Sequence, residues 1–489
     1  MKVLLLNPSF KTQYGKFSRD QRSPAITKSG TLYYPVWLAY ATGVLQRAGF
    51  ETKLIDACAY LYDEKQTLDI VKSFDPELIV VNTSTPSIYS DVKFVTEIKK
   101  LLPKSFVVLV GTHPSALPEK TLELSESIDA IARREYDYTI KELANAISKG
   151  DDISQINGLT FRDKKNGEVI STPDRVLIEN LDELPFAAEV YKEHLDIKKY
   201  FFAAAEYPMI MIFTGRGCPN KCFFCVYPQV FHGRDRYRLR SANNVVAEFE
   251  YIINNFPQVK AIGIEDDTFT ADLNRTKEIC QLLISKGINK KIHWWVNARV
   301  TLDLATMKLM KEAGCNLLIA GFESGSQSVL DGMNKGINLQ QSINYVNNAK
   351  KADLRIHGCF MVGNPNETKE TMQATLELAL KLNTDTAQFF PLMAYPGTEA
   401  YEWARTNDLL KTEDFSKWVT EDGLHNCVVD SANFTSEQLV EFCNLARKKY
   451  YLRPKYILMK FAQSLRNGDE RKRIFKSARR FVKFLIKRG

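Results

Sequence analysis

Two stretches of the chain alternate short apolar runs with helix-length segments, and this alternation limits the possible folds more than any other feature. In residues 1–150, strands are predicted at 3–6, 53–56, 78–82 and 107–110, and helices at 36–48, 90–102 and 138–148. Alternating strands and helices favour an α/β fold with a doubly wound, Rossmann-like parallel sheet. Ligands of such sheets bind beyond the carboxyl ends of the strands.

The second alternation begins near residue 209. Its predicted strands are 209–214, 259–264, 292–297, 316–322, 356–362 and 386–392. Six β/α units in succession predict a partial (β/α)6 barrel, with its active site at the carboxyl ends of the strands. We therefore expect an N-terminal domain at 1–150, a connector at 151–200, a barrel at 201–412 and a helical C-terminal region at 413–489.

Composition excludes several classes of protein. The chain has 489 residues, of which 45% are hydrophobic and 25% charged, as is typical of a globular protein. No run of 18 apolar residues predicts a membrane-spanning helix, and the short apolar segment 3–6 does not resemble a signal sequence. We expect a cytoplasmic protein.

The positive charge is concentrated near the C-terminus. Residues 447–489 contain 16 Lys and Arg against 2 Asp and Glu, whereas the whole chain has a net charge of only +8. We therefore expect no nucleic-acid partner. Residues 471–488 place apolar side chains on one helical face and seven cations on the other. This pattern predicts peripheral contact with the inner surface of an anionic membrane, and packing of the helix on its own barrel is the alternative.

Three of the nine cysteines form a cluster. Cys218, Cys222 and Cys225 have the spacing CxxxCxxC directly after the first strand of the second alternation. Three thiolates on such a loop could bind a [4Fe–4S] cluster and leave its fourth iron open to another ligand. A zinc site is the alternative, but zinc needs a fourth ligand, and His232 is the only nearby candidate.

This cysteine motif resembles that of radical S-adenosylmethionine (SAM) enzymes, because Gly217 precedes it and Phe224 stands before the last cysteine. The resemblance implies that the three cysteines hold a [4Fe–4S] cluster whose open iron binds the amine and carboxylate of SAM. It further implies reductive cleavage of SAM to a 5′-deoxyadenosyl radical, with an electron donor such as flavodoxin or ferredoxin as a partner.

Polar residues at the ends of the next strands match the places where this family binds SAM. Carboxylates after the second strand would accept hydrogen bonds from the methionine ammonium, and an acidic helix N-terminus is the alternative for Asp267. The predicted SAM contacts are Glu265, Asp266, Arg299, Glu323, Ser324 and Phe224. The family usually has Gly where Asn366 stands, which leaves the geometry of that turn open.

The first domain resembles the cobalamin-binding domain of B12-binding radical SAM proteins. The G-x-G-x-x-G pattern of dinucleotide sites is absent from its first turn. The resemblance implies cobalamin contacts at Pro8, Thr83, Ser84, Thr85, Gly111 and His113. The D-x-H-x-x-G loop that supplies a cobalt ligand in mutases is also absent, so His113 is expected to line the pocket. A scaffold without a cofactor is the alternative.

Together these features predict a cobalamin-dependent radical SAM enzyme that methylates, rearranges or cyclises an unactivated carbon of a small hydrophobic substrate. The resemblance is to members acting in hopanoid biosynthesis and to the anaerobic magnesium-protoporphyrin monomethyl ester cyclase, so a hopanoid, another lipid or a tetrapyrrole is expected. One alternative is a tRNA methylthiotransferase, which needs a second cluster, but the first domain has only Cys58. The other is a non-catalytic cobalamin or iron–sulfur sensor. The sequence assigns no catalytic acid or base.

Overall fold

The computed structural model describes residues 1–163, 166–234 and 236–466. The predicted amphipathic segment 471–488 lies outside these residues. No helix within the described ranges is long and apolar enough to cross a membrane.

A seven-stranded sheet forms the core of the first unit. The nine strands up to residue 171 are β1 (Lys2–Asn7), β2 (Phe17–Ser18), β3 (Ala25–Ile26), β4 (Glu51–Asp56), β5 (Leu78–Asn82), β6 (Phe106–Val110), β7 (Ala130–Ala132), β8 (Leu159–Arg162) and β9 (Val169–Ser171). The sheet has the order β4–β1–β5–β6–β7–β8–β9, while β2 and β3 pair separately. The first five strands of the sheet are parallel, and β8 and β9 add to its edge in antiparallel fashion. All four strands predicted in this unit are present.

Helices cover both faces of this sheet. They are α1 (Val36–Arg47), α2 (Ala57–Tyr60), α3 (Glu64–Phe74), α4 (Ile88–Leu101), α5 (Thr112–Ala116), α6 (Pro118–Leu122) and α7 (Asp137–Lys149). Alternate residues of β1 point to opposite faces: Val3 and Leu5 belong to the core that includes α1 and α7, and Leu4 and Leu6 to the core that includes α3 and α4. Burial on both faces explains why these strands are apolar throughout.

The segment predicted as a connector contributes to both units. Its strands β8 and β9 extend the first sheet as far as Ser171, beyond the expected boundary at residue 150. Helix α8 (Ala187–His194) follows, and its buried residues join the core that α1 shares with the second sheet. The expected domain bounds remain a prediction.

The second unit is a parallel sheet of six strands in sequential order. Its strands are β10 (Met209–Ile212), β13 (Ala261–Ile264), β14 (His293–Ala298), β15 (Cys315–Glu323), β16 (Arg355–Val362) and β17 (Thr386–Pro391), and a short hairpin of β11 (Gly215–Gly217) and β12 (Tyr237–Leu239) lies after β10. The helices are α9 (Ala242–Asn255), α10 (Leu273–Ser285), α11 (Leu304–Glu312), α12 (Gln327–Gly332), α13 (Leu339–Lys351), α14 (Lys369–Leu382) and α15 (Glu399–Thr406). This strand order matches the predicted partial barrel, in which β10 and β17 are the two edge strands and do not pair with each other.

The C-terminal region becomes helical later than predicted. Residues 413–435 contain only one short 3-10 turn, and the helices are α16 (Ser436–Tyr451) and α17 (Pro454–Arg466). The non-helical part connects the two units: the amide of Ile26 donates to the carbonyl of Gly423 (2.8 Å), and the Trp418 indole donates to the carbonyl of Ala394 (2.9 Å). These contacts with other segments replace the internal hydrogen bonds of a helix.

Candidate active site

The loop that carries the three cysteines begins at a close approach of two strands. Gly217 has a φ of +87°, and a Cβ added there would lie 2.0 Å from the carbonyl oxygen of Arg236 at the start of the returning strand. Only glycine fits this position without moving the backbone. The hairpin of β11 and β12 therefore explains the glycine before Cys218.

The far end of the cysteine loop is held by one side chain. The amide nitrogen of Gln229 lies 3.2, 2.9 and 3.0 Å from the carbonyl oxygens of Cys222, Phe223 and Cys225. Because a single group contacts three carbonyls, it fixes the curvature of the backbone between the second and third cysteines. The protein itself therefore contributes to the shape of the loop.

All three cysteines are free and partly buried. Burial raises the pKa of the Cys218 and Cys225 thiols, so their thiolates need a nearby cation or metal for stabilisation. No three His, Cys, Asp or Glu side chains of the described residues are grouped to hold one metal ion. His232, the proposed fourth ligand of a zinc site, instead places Nδ1 2.7 Å from a carboxylate oxygen of Glu135.

Asp266, one of the predicted SAM contacts, binds a neighbouring segment of the protein. Its carboxylate accepts hydrogen bonds from the backbone amide and the hydroxyl of Thr214, both at 2.6 Å. Thr214 joins β10 to the hairpin that starts the cysteine loop. Asp266 thus fastens this hairpin to the end of β13, and its assignment to SAM stays a prediction.

The two neighbouring carboxylates keep free acceptor atoms. Glu265 and Asp267 are both buried side chains, with 4% and 3% exposure. Glu265 Oε2 and Asp267 Oδ2 have no hydrogen-bond partner among the described residues. Burial raises the pKa of Glu265, an effect that Arg22 opposes. Buried acceptors without partners are uncommon in folded proteins and fit a ligand that donates hydrogen bonds.

Arg22, from the loop between β2 and β3, reaches these carboxylates from the first unit. Its guanidinium pairs with Glu265 Oε1, donates to the carbonyl of Asp266 at 3.0 Å and lies 3.7 Å from Asp267 Oδ1. One cation therefore neutralises both carboxylates. Because Arg22 is more than 240 residues from Glu265 in the chain, no motif could have indicated this contact.

A second buried network joins the two units beside the cysteine loop. Arg216 donates to Glu135 (3.0 Å) and Asp137 (2.7 and 3.1 Å), and Arg238 also pairs with Glu135. Burial opposes ionisation of Glu135, but Arg216, His232 and Arg238 outweigh it and hold the pKa of this carboxyl well below its usual value. The other nitrogen of His232, Nε2, lies 3.8 Å from Asp267, next to the free carboxylate oxygens.

Arg299, the residue predicted to pair with the methionine carboxylate, uses some of its donors within the protein. Its Nη2 donates to the carbonyls of Lys335 (2.5 Å) and Gly336 (3.0 Å), and its backbone amide donates to Thr270. The guanidinium thus holds the loop after α12. Its assignment to SAM stays a prediction.

The end of β15 brings two further predicted residues to the same edge of the barrel. Glu323 is buried at a φ of +59°, accepts from Lys335 Nζ at 2.7 Å and keeps Oε2 unpartnered within the described structure. Ser324 accepts from the amide of Ser326 (3.1 Å), so its hydroxyl is used locally, as a capping residue would be. Lys335 also lies 5.8 Å from the centre of the Phe224 ring, and no sequence motif indicated its role.

The Thr/Ser-rich loop after β5 is shaped by its own hydroxyl groups. Asp91 of α4 accepts from Thr83 and Ser87, both at 2.6 Å, and Ser84 lies 2.9 Å from Ser87. Thr85 begins a short 3-10 turn. These hydroxyls therefore fix the backbone of the loop, and a ligand here would meet mainly that backbone.

Gly111 and His113 lie beside this loop at the end of β6. A Cβ added at Gly111, whose φ is +123°, would be 2.1 Å from the carbonyl oxygen of Thr83. His113 is buried, with its ring against Phe415 of the C-terminal region, and burial lowers its pKa to about 3. Pro8, at the end of β1, accepts a hydrogen bond from Cys58 at 3.3 Å. All predicted cobalamin contacts thus lie at the carboxyl edge of the first sheet.

Comparison with known proteins agrees with both halves of this site. Residues 22–144 match the B12 binding domain family, and residues 212–379 match the Radical SAM superfamily. An uncharacterized methyltransferase of Pyrococcus horikoshii is 36% identical over 430 residues, which are 88% of this chain and 90% of the relative. The anaerobic magnesium-protoporphyrin IX monomethyl ester cyclase of Cereibacter sphaeroides is 28% identical over 392 residues, covering 78% of this chain and 62% of the relative.

A solved structure shares the fold over nearly the whole chain. The radical SAM methyltransferase TsrM of Kitasatospora setae, with cobalamin and a [4Fe–4S] cluster bound, superposes with a TM-score of 0.70 and 19% identity, covering 93% of this chain and 89% of TsrM. The matches confirm the predicted family, the α/β fold and, through the two domains, the cofactor set of [4Fe–4S] cluster, SAM and cobalamin. This chain belongs to the radical SAM superfamily and is a cobalamin-dependent radical SAM enzyme.

Proposed function

We propose that the enzyme transfers a methyl group to a carbon atom of a small molecule. The similarity to the Pyrococcus methyltransferase supports methyl transfer. Ring formation or rearrangement is the alternative, because the Cereibacter relative is a cyclase. The observation that carries the proposal is the shared edge at which free carboxylate oxygens, the cysteine loop and a loop of the B12-binding unit meet.

In this proposal Cys218, Cys222 and Cys225 hold the cluster, and Glu265 and Asp267 receive the ammonium of SAM. Asp267 replaces Asp266 as the second acceptor, because the Asp266 carboxylate already binds Thr214. When bound, the cluster, SAM and cobalamin supply the electron, the radical and the methyl group. The residues of the chain bind and orient these groups and exclude water from them.

Cobalamin is proposed to lie against the carboxyl edge of the first sheet, over the loops 82–87 and 111–113. Gly111 permits the close approach of the two loops, and His113 lines the pocket in its neutral form. The alternative is a scaffold that binds no cobalamin. The absorbance spectrum of the reconstituted protein decides between them, because only a cobalamin-binding domain would show a cobalamin band.

SAM binding to the reconstituted protein tests the carboxylate assignment. Glu265→Gln and Asp267→Asn each remove a charge that faces the ammonium, and a hydrogen bond to a charged group contributes about 1.5–3 kcal/mol. We expect a rise of about tenfold or more in the SAM dissociation constant, measured by equilibrium dialysis. Glu250→Gln, at an exposed ion pair with Lys286, is the matched control. Unchanged affinity in both site variants would contradict the assignment.

The substrate is proposed to be hydrophobic, a hopanoid, another lipid or a tetrapyrrole, with flavodoxin or ferredoxin as the electron donor. The tetrapyrrole relative and the basic, amphipathic segment 471–488 support this class. Helix α17, just before that segment, carries exposed apolar side chains at Leu458, Phe461 and Leu465. Deletion of residues 471–489 is expected to abolish cosedimentation with anionic liposomes, and unchanged cosedimentation would contradict membrane contact.

A further inference from the structure

Four consecutive residues of the loop between β2 and β3, residues 19–22, span the two halves of the proposed site. Arg19 is directed to the first unit and Arg22 to the barrel. Three residues of extended chain cover at most about 11 Å. The Thr/Ser-rich loop of the B12-binding unit and the carboxylates after β13 are therefore joined by a very short piece of backbone.

The first anchor is Arg19, which is buried. Its Nε donates to the carbonyl of Asn82 at 3.2 Å, and its Nη2 pairs with Asp91. Asp91 is also the acceptor of Thr83 and Ser87. Any change in the conformation of the loop 82–87 must therefore move or strain Arg19 as well.

The second anchor is Arg22, which lies between Glu265 and Asp267. Two buried carboxylates in proximity repel each other unless a cation lies between them. Arg22 supplies this cation and directs Glu265 Oε1 toward itself, and the other oxygen of each carboxylate accepts no hydrogen bond from the described residues. The position of Arg22 thus determines which acceptors the pocket offers.

The backbone between the two anchors has little freedom. The Tyr227 hydroxyl donates to the carbonyl of Asp20 at 3.1 Å, and the Ser23 hydroxyl lies 2.8 Å from that of Tyr395. His425 Nε2 lies 2.9 Å from the carbonyl of Ser23. Because barrel residues and the C-terminal region hold this segment from both sides, a displacement of one anchor is transmitted to the other.

We propose that residues 19–22 couple the two cofactor sites, with Arg22 as the positioning residue of the SAM carboxylates. This inference rests on the proposed sites for SAM and cobalamin. Cobalamin bound against the loop 82–87 would further restrain Asn82 and Asp91, and through them Arg19, Arg22 and the carboxylates. Cobalamin then raises the affinity for SAM, and SAM raises the affinity for cobalamin by the same factor, as linkage requires.

Equilibrium dialysis of labelled SAM against the cluster-reconstituted full chain, with and without hydroxocobalamin, tests this coupling. In the wild-type protein we expect cobalamin to tighten SAM binding at least about fivefold. In Arg22→Gln we expect cobalamin to change the SAM affinity by less than about twofold. Arg22→Lys keeps the charge but lacks the planar guanidinium, so we expect cobalamin to tighten its SAM binding by an intermediate amount. Arg47→Gln, at a half-exposed arginine of α1, is the control and keeps the wild-type factor.

The outcomes separate the inference from the proposed function. The coupling would be overturned if cobalamin did not change the SAM affinity of the wild-type protein, or if it tightened SAM binding to Arg22→Gln as much as to the wild type. Either result would leave the proposed SAM site in place. A wild-type protein that binds no SAM would contradict the proposed function, and the coupling with it. Circular dichroism and cobalamin absorbance establish whether each variant is folded. If Arg22→Gln does not fold, the comparison of Arg22→Lys with the wild-type protein decides whether Arg22 carries the coupling.

Discussion

Three consecutive carboxylates after β13 have different environments and therefore different expected roles. Asp266 accepts two hydrogen bonds from Thr214, whereas Glu265 and Asp267 each keep a buried oxygen free. Sequence spacing places all three at the end of a strand but does not determine which way each side chain turns. This is why the choice between Asp266 and Asp267 needed the structure.

The distinct role of Asp266 predicts a loss of stability rather than a simple loss of ligand affinity. Asp266→Asn replaces an acceptor oxygen by a donor or leaves one Thr214 donor without a partner. A buried unsatisfied group costs about 1–3 kcal/mol, so we expect the free energy of unfolding to fall by that amount. Urea unfolding of the cofactor-free chain measures it, with Asp267→Asn as the comparison. Equal stability of Asp266→Asn and the wild-type protein would show that this carboxylate does not hold the hairpin.

At the scale of the elements, the ends of parallel strands create both halves of the site. The carboxyl ends of β5 and β6 approach closely at Gly111, and those of β13 and β15 present Glu265 and Glu323. Glycine is required at residue 111 by the backbone itself, since its φ of +123° and ψ of −179° are accessible essentially to glycine alone.

Gly111→Ala is therefore expected to disturb the loop that cobalamin would contact. The strained backbone costs of the order of 1–3 kcal/mol, and the added Cβ would meet the Thr83 carbonyl at 2.1 Å. We expect lower stability in urea and at least about tenfold weaker binding of hydroxocobalamin, followed by absorbance. Gly49→Ala, which has positive φ but open space around it, controls for the backbone effect alone. Full cobalamin affinity in Gly111→Ala would argue against a ligand at this edge.

Elements and local motifs were predictable to different degrees from the residues that define them. Most strands of the two sheets follow from short apolar runs, and the cysteine loop from spacing within eight residues. Strand β7 escaped prediction because Ala-Ile-Ala is too short to show a period. Arg22 escaped because Glu265 is 243 residues away in the chain, and only the packing of the two units brings them together. Lys335 escaped because no motif marks its contact with Glu323, 12 residues earlier in the same unit.

At the scale of the whole molecule, the two units are joined by buried charges. Glu135 and Asp137 of the first unit bind Arg216 of the hairpin, and His232 and Arg238 share Glu135. Removal of one member from a buried ionic network leaves the others uncompensated. The relative position of the cofactor sites depends on this network.

Glu135→Gln is expected to destabilise the protein at neutral pH by about 3–5 kcal/mol. The pKa of Glu135 is lowered on folding, so its stabilising effect is fully present above the unfolded value of about 4.3 and is lost as the pH falls toward the lower folded value. The difference between variant and wild-type protein in urea unfolding should therefore be constant from pH 7 to about 5 and shrink below about pH 4. A difference that does not change with pH would contradict an ionised Glu135.

Anaerobic reconstitution with iron, sulfide and hydroxocobalamin, followed by dithionite and SAM, tests the conclusion that this is a cobalamin-dependent radical SAM enzyme. We predict about four iron atoms and one cobalamin per chain and the formation of 5′-deoxyadenosine. In Cys222→Ala both the cluster and the 5′-deoxyadenosine should be lost with cobalamin retained, whereas Cys443→Ala, on the buried face of α16, should behave as wild type. Zinc in place of iron, or a full cluster without cobalamin or without 5′-deoxyadenosine, would contradict it.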